Sequence, residues 1–250
     1  MSADGRSLAR TPKPGWRELS NRTARRPTVI VFTREPVPGS TKTRLAGRLG
    51  ASNAASLADA FTRDALEKVH ELRLPLVIAA SASGCLRDNR YFGLLARRFD
   101  ASLIDQGLGN LGTRMVRVLA PFALDGVLLI GTDTPSLPNS ALRRAVALIR
   151  HNHVVLGPTL DGGYFLVGIN GVVPDIFRGI RWGGARVLQQ TIERLVSFGI
   201  RPALAPTWYD VDRWSDLILL AEHLGRLGQR GGVRCPATAR VLARLGLLQV

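Results

Sequence analysis

The chain has 250 residues, of which 46% are apolar; this is enough for one sizeable core and excludes wholesale disorder. The chain has 34 lysine and arginine residues and 19 acidic residues, a formal net charge of +15. A charge of this size makes nucleic acid a candidate partner. No stretch reaches the roughly 18–20 unbroken apolar residues that span a bilayer, so no membrane span is predicted.

The basic charge is distributed unevenly along the chain. Residues 1–27 hold seven basic and two acidic side chains, residues 222–250 hold five and one, and residues 28–221 hold 22 and 16. The body is therefore only mildly basic, as expected of a protein that handles phosphates. Non-specific nucleic-acid binding through the basic ends is the weaker alternative, because only 6% of the residues are aromatic and stacking platforms are scarce.

Cysteine content and the N-terminal sequence bear on the cellular setting. Cys85 and Cys235 lie far apart in sequence, which excludes a disulfide framework and a thiolate zinc cluster. The arginine-rich N-terminus has no apolar core and does not read as a secretory signal. We expect a protein of the reducing cytoplasm.

Three segments differ in composition. Residues 1–27 contain three prolines, many charges and no hydrophobic period, which predicts a disordered basic leader. Residues 28–228 alternate apolar strands with amphipathic helices, which predicts one domain. Residues 229–250 are predicted to form a C-terminal helical appendage.

The elements are predicted in chain order from hydrophobic periodicity. Strands are expected over 28–33, 75–80, 101–105, 126–131, 153–157, 164–168 and 202–208. Helices are expected over 57–72, 111–124, 138–150, 184–198, 213–228 and 237–246, and the polar segment 88–99 is assigned to neither. This alternation predicts an α/β/α sandwich with a mostly parallel central sheet, whose ligands bind outside the carboxyl ends of the strands.

The first polar cluster follows the first strand, in residues 36–45. Gly39 allows close backbone approach, while Lys42 and Arg44 supply cations on a loop that leads into a helix. Loop amides, a helix N-terminus and fixed cations together make an anion site, although the spacing is not that of a Walker loop. The alternative is that both cations are ordinary surface charges.

Two aspartate clusters follow later strands. Asp133 comes directly after the most apolar strand, where it either suits a hard cation such as Mg²⁺ or caps the next helix. Asp210 and Asp212 follow the last strand and lie on one side of an extended chain. Either they share a metal or Asp212 caps the helix that contains Trp214, and the two roles are compatible.

Two glycine-containing segments complete the candidate site. Residues 161–164, Asp-Gly-Gly-Tyr, join two strands, and hairpin turn chemistry explains them as well as a functional role does. Residues 106–115 are too glycine-rich for a plain loop and open a helix, so a base or ribose has room to approach the backbone. The segment lacks the spacing of a dinucleotide-binding motif.

Six ordered motifs over residues 28–221 resemble a family of GT-A-fold transferases: PVPGSTKTRL, GLGNLGTRM, GTDTP, GPTLDGGYFLVG, RWGGARVL and YDVDRWSDL. This family is the radical-SAM/selenodomain-associated transferase group of the nucleotide-diphospho-sugar transferase superfamily, some members of which are labelled arsenosugar-biosynthesis glycosyltransferases. The KTRL, GTDTP and DVD elements are more distantly similar to deazaflavin-cofactor guanylyltransferases and molybdenum-cofactor nucleotidyltransferases.

The resemblance implies a GT-A-like, metal-dependent transferase that uses a nucleotide or nucleotide-sugar and a small-molecule acceptor. Asp133 and Asp212 would bind Mg²⁺ or Mn²⁺. The residues assigned to the nucleotide, with Lys42 and Arg44 on its phosphates, are Gly39, Lys42, Arg44, Gly109, Asn110, Gly112 and Arg114. Those assigned to the acceptor side are Asp161, Gly162, Gly163, Tyr164 and Trp182, and catalysis is assigned to Lys42, Arg44 and Asp161.

The reaction type stays open between two versions of one site. In glycosyl transfer, which we favour, an acceptor attacks the sugar carbon and a nucleoside diphosphate leaves. In nucleotidyl transfer, a phosphorylated acceptor attacks the α-phosphorus of a nucleoside triphosphate and pyrophosphate leaves. The chain departs from the family pattern at Asn110, which replaces an aspartate, and at Gly183 and Gly184, which replace Ser-Thr and remove two hydroxyls near the acceptor side.

Overall fold

The computed structural model describes residues 26–172, 175–227 and 234–248. The leader predicted for 1–27 lies outside the described residues up to residue 25, as do residues 228–233, where the predicted domain meets its appendage. Among the described residues, every helix is too short or too polar to cross a bilayer.

A seven-stranded sheet forms the centre of the fold. Its strands are β1 (Thr28–Arg34), β2 (Leu76–Ser81), β3 (Ser102–Asp105), β4 (Val127–Ile130), β5 (Val154–Pro158), β6 (Tyr164–Ile169) and β7 (Ala203–Leu204). They lie in the order β3-β2-β1-β4-β6-β5-β7, and all neighbours are parallel except that β6 runs antiparallel to β4 and β5. The predicted GT-A-like α/β fold with a mostly parallel sheet is confirmed.

Helices cover both faces of this sheet. They are α1 (Thr43–Leu49), α2 (Ala51–His70), α3 (Arg90–Phe99), α4 (Leu111–Leu119), α5 (Asn139–Ile149), α6 (Val187–Ser197), α7 (Trp214–Leu227) and α8 (Pro236–Arg244). Because β1 is covered on both sides, its apolar run is continuous: Val29 and Val31 enter one core cluster and Ile30 enters the cluster on the opposite face.

One helix was not predicted from the sequence, and the boundaries of several other elements differ from the predicted ones. Residues 90–99 form α3, in which Phe92, Leu95 and Phe99 recur at helical spacing and are buried, and Asn89 caps the N-terminus by accepting a hydrogen bond from the amide of Phe92 at 3.1 Å. The helix predicted from 57 begins at Ala51. The helix predicted over 111–124 ends at 119 and continues as a 3₁₀ turn, and the last strand shortens to two residues.

The appendage packs against the body through buried polar contacts. The carboxylate of Asp64, on α2, accepts hydrogen bonds from the amides of Ala237 at 2.9 Å and Thr238 at 2.8 Å, which caps α8. Lys68, one turn further along α2, donates to the carbonyl of Arg234. Leu242 of α8 joins a core cluster that includes residues of α2 and α7. The described part of the appendage is thus held on the body of the fold.

Candidate active site

Three charged side chains converge at the carboxyl edge of the sheet. Lys42 lies between β1 and α1, Asp133 follows β4, and Asp212 lies just before α7. Parallel strands end at the same edge, so residues that are distant in sequence meet there. The structure therefore brings together the predicted phosphate-binding lysine and both predicted metal ligands.

The Lys42 ammonium is the centre of this cluster. Its Nζ lies 2.7 Å from Asp133 Oδ1 and 3.0 Å from Asp212 Oδ1, and it donates to the carbonyl of Val211 at 2.7 Å. Only 9% of its side chain is exposed, against 48% for Asp133 and 37% for Asp212. Burial disfavours the charged amine, but the two carboxylates outweigh burial and raise the pKa of Lys42. The lysine is a buried cation whose partners face solvent.

Backbone contacts hold the two aspartate segments together. The amide of Val211 donates to the carbonyl of Asp133 at 2.8 Å, so the segments after β4 and before α7 form one unit. Neither aspartate caps a helix. The N-cap of α5 is Pro138, and the amides of Asp212 and Arg213 donate to the carboxylate of Asp216, at 3.1 and 2.7 Å.

Sequence reasoning missed the cap of α7, although a signal for it exists. Asp216 is the third residue of the helix, the position from which an acidic side chain reaches back to the preceding amides. Because Asp216 satisfies these amides, the carboxylate of Asp212 is directed to Lys42 and Arg44.

A cavity of about 590 Å³ opens above the Lys42 cluster. Arg44, 63% exposed, lines it with its Nη1 atom 3.6 Å from Asp212 Oδ2, and Arg114 lines it with its guanidinium over the Phe32 ring. Sequence reasoning missed a further cation, Arg34, at the carboxyl end of β1. A polar residue that ends a buried parallel strand was the available signal.

The glycine-rich loop before α4 has a structural explanation for most of its residues. Asn110 caps α4, since its Oδ1 accepts hydrogen bonds from the amide and hydroxyl of Thr113 at 2.9 and 3.1 Å. A Cβ at Gly112 would lie 2.9 Å from the Phe177 side chain and 3.0 Å from that of Trp182, so this glycine permits close packing. The nucleotide contacts predicted for these residues and for Gly109 stay predictions. Gly39 lies in an exposed turn with φ +84°.

A second cavity of about 410 Å³ adjoins the first, and Arg44 and Asp212 line both. Asp161 and Asp210 also line the second cavity. Asp161 is held by the hydroxyl of Thr159 at 2.5 Å and by the amide of Gly163 at 2.9 Å. Burial, followed by the nearby Asp161 carboxylate, raises the pKa of Asp210 to about 6. Asp161 and Asp210 are therefore close enough in this cavity to influence each other's charge.

The remaining residues predicted for the acceptor side divide into two groups. Gly162 has φ +86° and accepts a hydrogen bond from the Leu188 amide at 2.9 Å, so the 161–164 turn packs against the start of α6. Tyr164 and Trp182 pack against the core cluster on one sheet face and do not line the second cavity. The structure brings Asp161 to the cavity but not these two aromatic rings.

Comparisons with known proteins agree with this architecture. Residues 62–184 match a family described as "Uncharacterized protein conserved in bacteria (DUF2064)". No curated protein matches the sequence. A Desulfovibrio desulfuricans protein, provisionally described as a nucleotide-diphospho-sugar transferase, is 29% identical, with a TM-score of 0.76 over 88% of this chain and 95% of its own.

Two further solved structures share the fold at low identity. The 4-diphosphocytidyl-2C-methyl-D-erythritol synthase of Anaerococcus prevotii is 12% identical, with a TM-score of 0.53 over 82% of this chain and 98% of its own. The inositol-1-phosphate CTP transferase of T. maritima is 14% identical, with a TM-score of 0.51 over 83% and 98%. These likenesses establish the fold; the subgroup named in the sequence analysis stays a prediction.

Proposed function

We propose that the protein is a nucleotide-utilising transferase that moves a glycosyl group from a nucleotide-sugar to a hydroxyl of a small acceptor. The observation that carries this proposal is the pair of adjoining cavities that meet at Arg44 and Asp212. A group-transfer enzyme needs a donor site and an acceptor site that share one reacting centre. The likeness to the Desulfovibrio desulfuricans protein supports the same class.

The larger cavity suits the donor nucleotide. Arg34, Arg44 and Arg114 line it, in addition to the buried Lys42. Guanidinium groups bind phosphate oxygens through two parallel hydrogen bonds, so this set of cations matches a diphosphate. We assign affinity for the nucleotide to these contacts, and base preference to the neighbouring loop before α4.

Asp133 and Asp212 fit a divalent cation that arrives with the nucleotide. Within the described ranges no three His, Cys, Asp or Glu side chains form a metal cluster, so the protein alone offers two carboxylates. Mg²⁺ is commonly held by one or two carboxylates plus substrate phosphates and water, and both side chains face the cavity. When bound, such a cation stabilises the negative charge of the departing diphosphate.

The smaller cavity favours a hydroxylated acceptor over a phosphorylated one. Asp161, Asp210 and Asp216 line it with Asp212, against the two arginines Arg44 and Arg213. Carboxylates accept hydrogen bonds from hydroxyls and repel phosphates. In our proposal Asp161, held in place by Thr159 and Gly163, orients the acceptor hydroxyl and accepts its proton.

Nucleotidyl transfer is the second candidate, and one observation favours it. The three arginines and the lysine that line the larger cavity supply enough positive charge to bind a triphosphate, and they would stabilise the pyrophosphate that leaves. The phosphorylated acceptor of that reaction would have to enter the acidic cavity, which is why glycosyl transfer ranks first.

Product analysis separates the two reactions. The purified protein would be incubated with each nucleoside triphosphate and each common nucleotide-sugar, together with sugar and sugar-phosphate acceptors and Mg²⁺ or Mn²⁺. Release of a nucleoside diphosphate supports glycosyl transfer, and release of pyrophosphate supports nucleotidyl transfer. The Asp133→Asn variant is the matched blank. If no nucleotide is turned over or raises the melting temperature of the parent, the proposal is wrong.

A further inference from the structure

The Lys42 ammonium occupies the position between the two candidate metal ligands. It contacts one oxygen of Asp133 at 2.7 Å, one oxygen of Asp212 at 3.0 Å and the carbonyl of Val211 at 2.7 Å. An ammonium has three N–H donors, and these contacts account for all three. In this arrangement Lys42 has no donor left for a phosphate, although the sequence assigns it to the phosphates.

The surroundings of Lys42 hold it in this place. Its backbone is left-handed, with φ 47°, a conformation that a residue with a side chain rarely adopts. Its Nζ lies 5.2 Å from the centre of the buried Phe61 ring. The bond between the Val211 amide and the Asp133 carbonyl keeps both partner segments together. The contact is therefore a built feature of the fold.

We infer that Lys42 and the divalent cation exchange places. Before nucleotide binds, Lys42 neutralises Asp133 and Asp212; when the cation and the nucleotide enter, the ammonium moves from the carboxylates to the phosphates. This inference rests on the proposed function, and it adds that Lys42 leaves the two carboxylates when the cation and the nucleotide are both bound. A divalent cation bound to the two carboxylate oxygens that Lys42 contacts would lie close to the ammonium, and the two positive charges would repel each other.

The exchange couples the two ligands. A cation that arrives alone has to expel Lys42 from its three partners into a cavity lined by arginines, where it meets no anion. A cation that arrives with a diphosphate brings the anion that receives the ammonium. Each ligand therefore raises the affinity for the other, and by linkage both factors are equal.

The first test measures Mn²⁺ affinity by the electron paramagnetic resonance signal of free Mn²⁺, with and without UDP, GDP or CDP. For the parent, we expect the nucleotide that binds to raise Mn²⁺ affinity roughly 5- to 150-fold, the usual range for two coupled sites. Lys42→Met should bind Mn²⁺ alone about tenfold more tightly than the parent, and its coupling should be smaller than that of the parent, because only the direct contact between phosphates and metal is left.

The matched control is Lys68→Met, which removes the other buried lysine of the described residues, outside the cavity. We expect its Mn²⁺ affinity to equal that of the parent. If Lys42→Met also binds Mn²⁺ like the parent, or if the parent binds Mn²⁺ equally well with and without a bound nucleotide, the exchange is wrong.

The second test uses the parent alone and holds even if Lys42→Met fails to fold. The chain has three lysines, Lys13, Lys42 and Lys68, so selective ¹³Cε labelling of lysine yields three NMR signals that are readily assigned. Addition of Mg²⁺ with the nucleotide should shift the Lys42 signal, and Mg²⁺ alone should not. A Lys42 signal that stays in place when both ligands are bound overturns the exchange but leaves the proposed function intact. A protein that binds no nucleotide overturns both.

Discussion

Two lysine–aspartate arrangements, both anchored on or beside α2, differ in what their carboxylates face. At the carboxyl edge of the sheet, Lys42 is buried while Asp133 and Asp212 look into a cavity. Beneath α8, Asp64 and Lys68 are both buried, and both oxygens of the Asp64 carboxylate are used by amides at the start of α8. The first arrangement presents carboxylate oxygens to a cavity that a ligand can enter, whereas the Asp64 carboxylate is buried and bonded to α8.

The pKa values of the two lysines are also shifted in opposite directions. Two close carboxylates raise the pKa of Lys42 despite its burial, whereas burial lowers the pKa of Lys68, which the charges near it only partly offset. Of these two buried lysines, Lys42 is the one whose charged form is stabilised by its surroundings. A buried lysine near an aspartate is therefore no indication of function by itself; exposure of the aspartate to a cavity separates the two cases.

The largest expected effect comes from the cavity-facing carboxylates. Asp133→Asn removes the charge of one candidate metal ligand, and transferase activity should fall about 100-fold or more, since a bound metal contributes several kcal/mol and each 1.36 kcal/mol is tenfold. The rate of nucleoside diphosphate release measures this loss. Asp125→Asn, at an exposed position away from both cavities, should leave the rate unchanged. Parent-like activity of Asp133→Asn would show that the Lys42 cluster is structural.

The buried arrangement should instead govern stability. Asp64→Ala leaves the amides of Ala237 and Thr238 without their acceptor, and we expect the free energy of unfolding to drop by about 3 kcal/mol. Urea denaturation measures it. Glu222→Gln breaks the exposed Glu222–Arg226 ion pair and should cost no more than about 0.5 kcal/mol. A similar small loss for both variants would mean that Asp64 does not hold α8 in place.

The thiols report on the same region. Cys235, beside Lys68 and Asp64, is buried, and burial raises its pKa to about 12, whereas Cys85 is exposed. At pH 8 the Cys85 thiol should react promptly with a disulfide reagent, and the Cys235 thiol about 10³-fold more slowly. The reason is that the thiolate population falls tenfold for each unit by which the pKa is raised. Asp64→Ala should accelerate the slow phase. Two equally fast thiols in the parent would contradict the docking of α8.

The smallest effect concerns His223, which contacts Tyr209 at the wall of the smaller cavity. His223 lies 2.7 Å from the Tyr209 hydroxyl, and burial lowers its pKa from the usual 6.5. A lowered pKa means that the folded state binds this proton less well than the unfolded state does. The contribution of His223 to stability is therefore complete above pH 6.5, and it is lost as the pH falls through the pKa of His223 in the folded state. The melting temperature should decline slightly more steeply between pH 7 and pH 5 in the parent than in His223→Gln. If the melting temperatures of both proteins decline equally with pH, His223 does not contribute to this loss of stability.

Much of the fold was predictable because it rests on local patterns. The apolar runs of β1 and β4 and the helix spacings between them were sufficient to indicate a covered, mostly parallel sheet. The helix α3 was missed although Phe92, Leu95 and Phe99 recur at helical spacing, because the arginines at 90, 97 and 98 make the segment polar in composition. The buried role of Asp64 has no sequence signal, since an aspartate within an amphipathic helix is ordinarily on its exposed face.

The sequence by itself determined which residues stand at the carboxyl edge of the sheet. Lys42, Asp133 and Asp212 each lie just beyond an apolar run or before a helix, and parallel strands deliver such positions to one edge. Only the tertiary structure decided how they pair. Lys42 and Asp212 are 170 residues apart, and the contact between them depends on the hydrogen bond from Val211 to Asp133 and on the cap that Asp216 supplies to α7. Pairing at 3 Å requires such distant segments to be positioned in three dimensions, which no local pattern encodes.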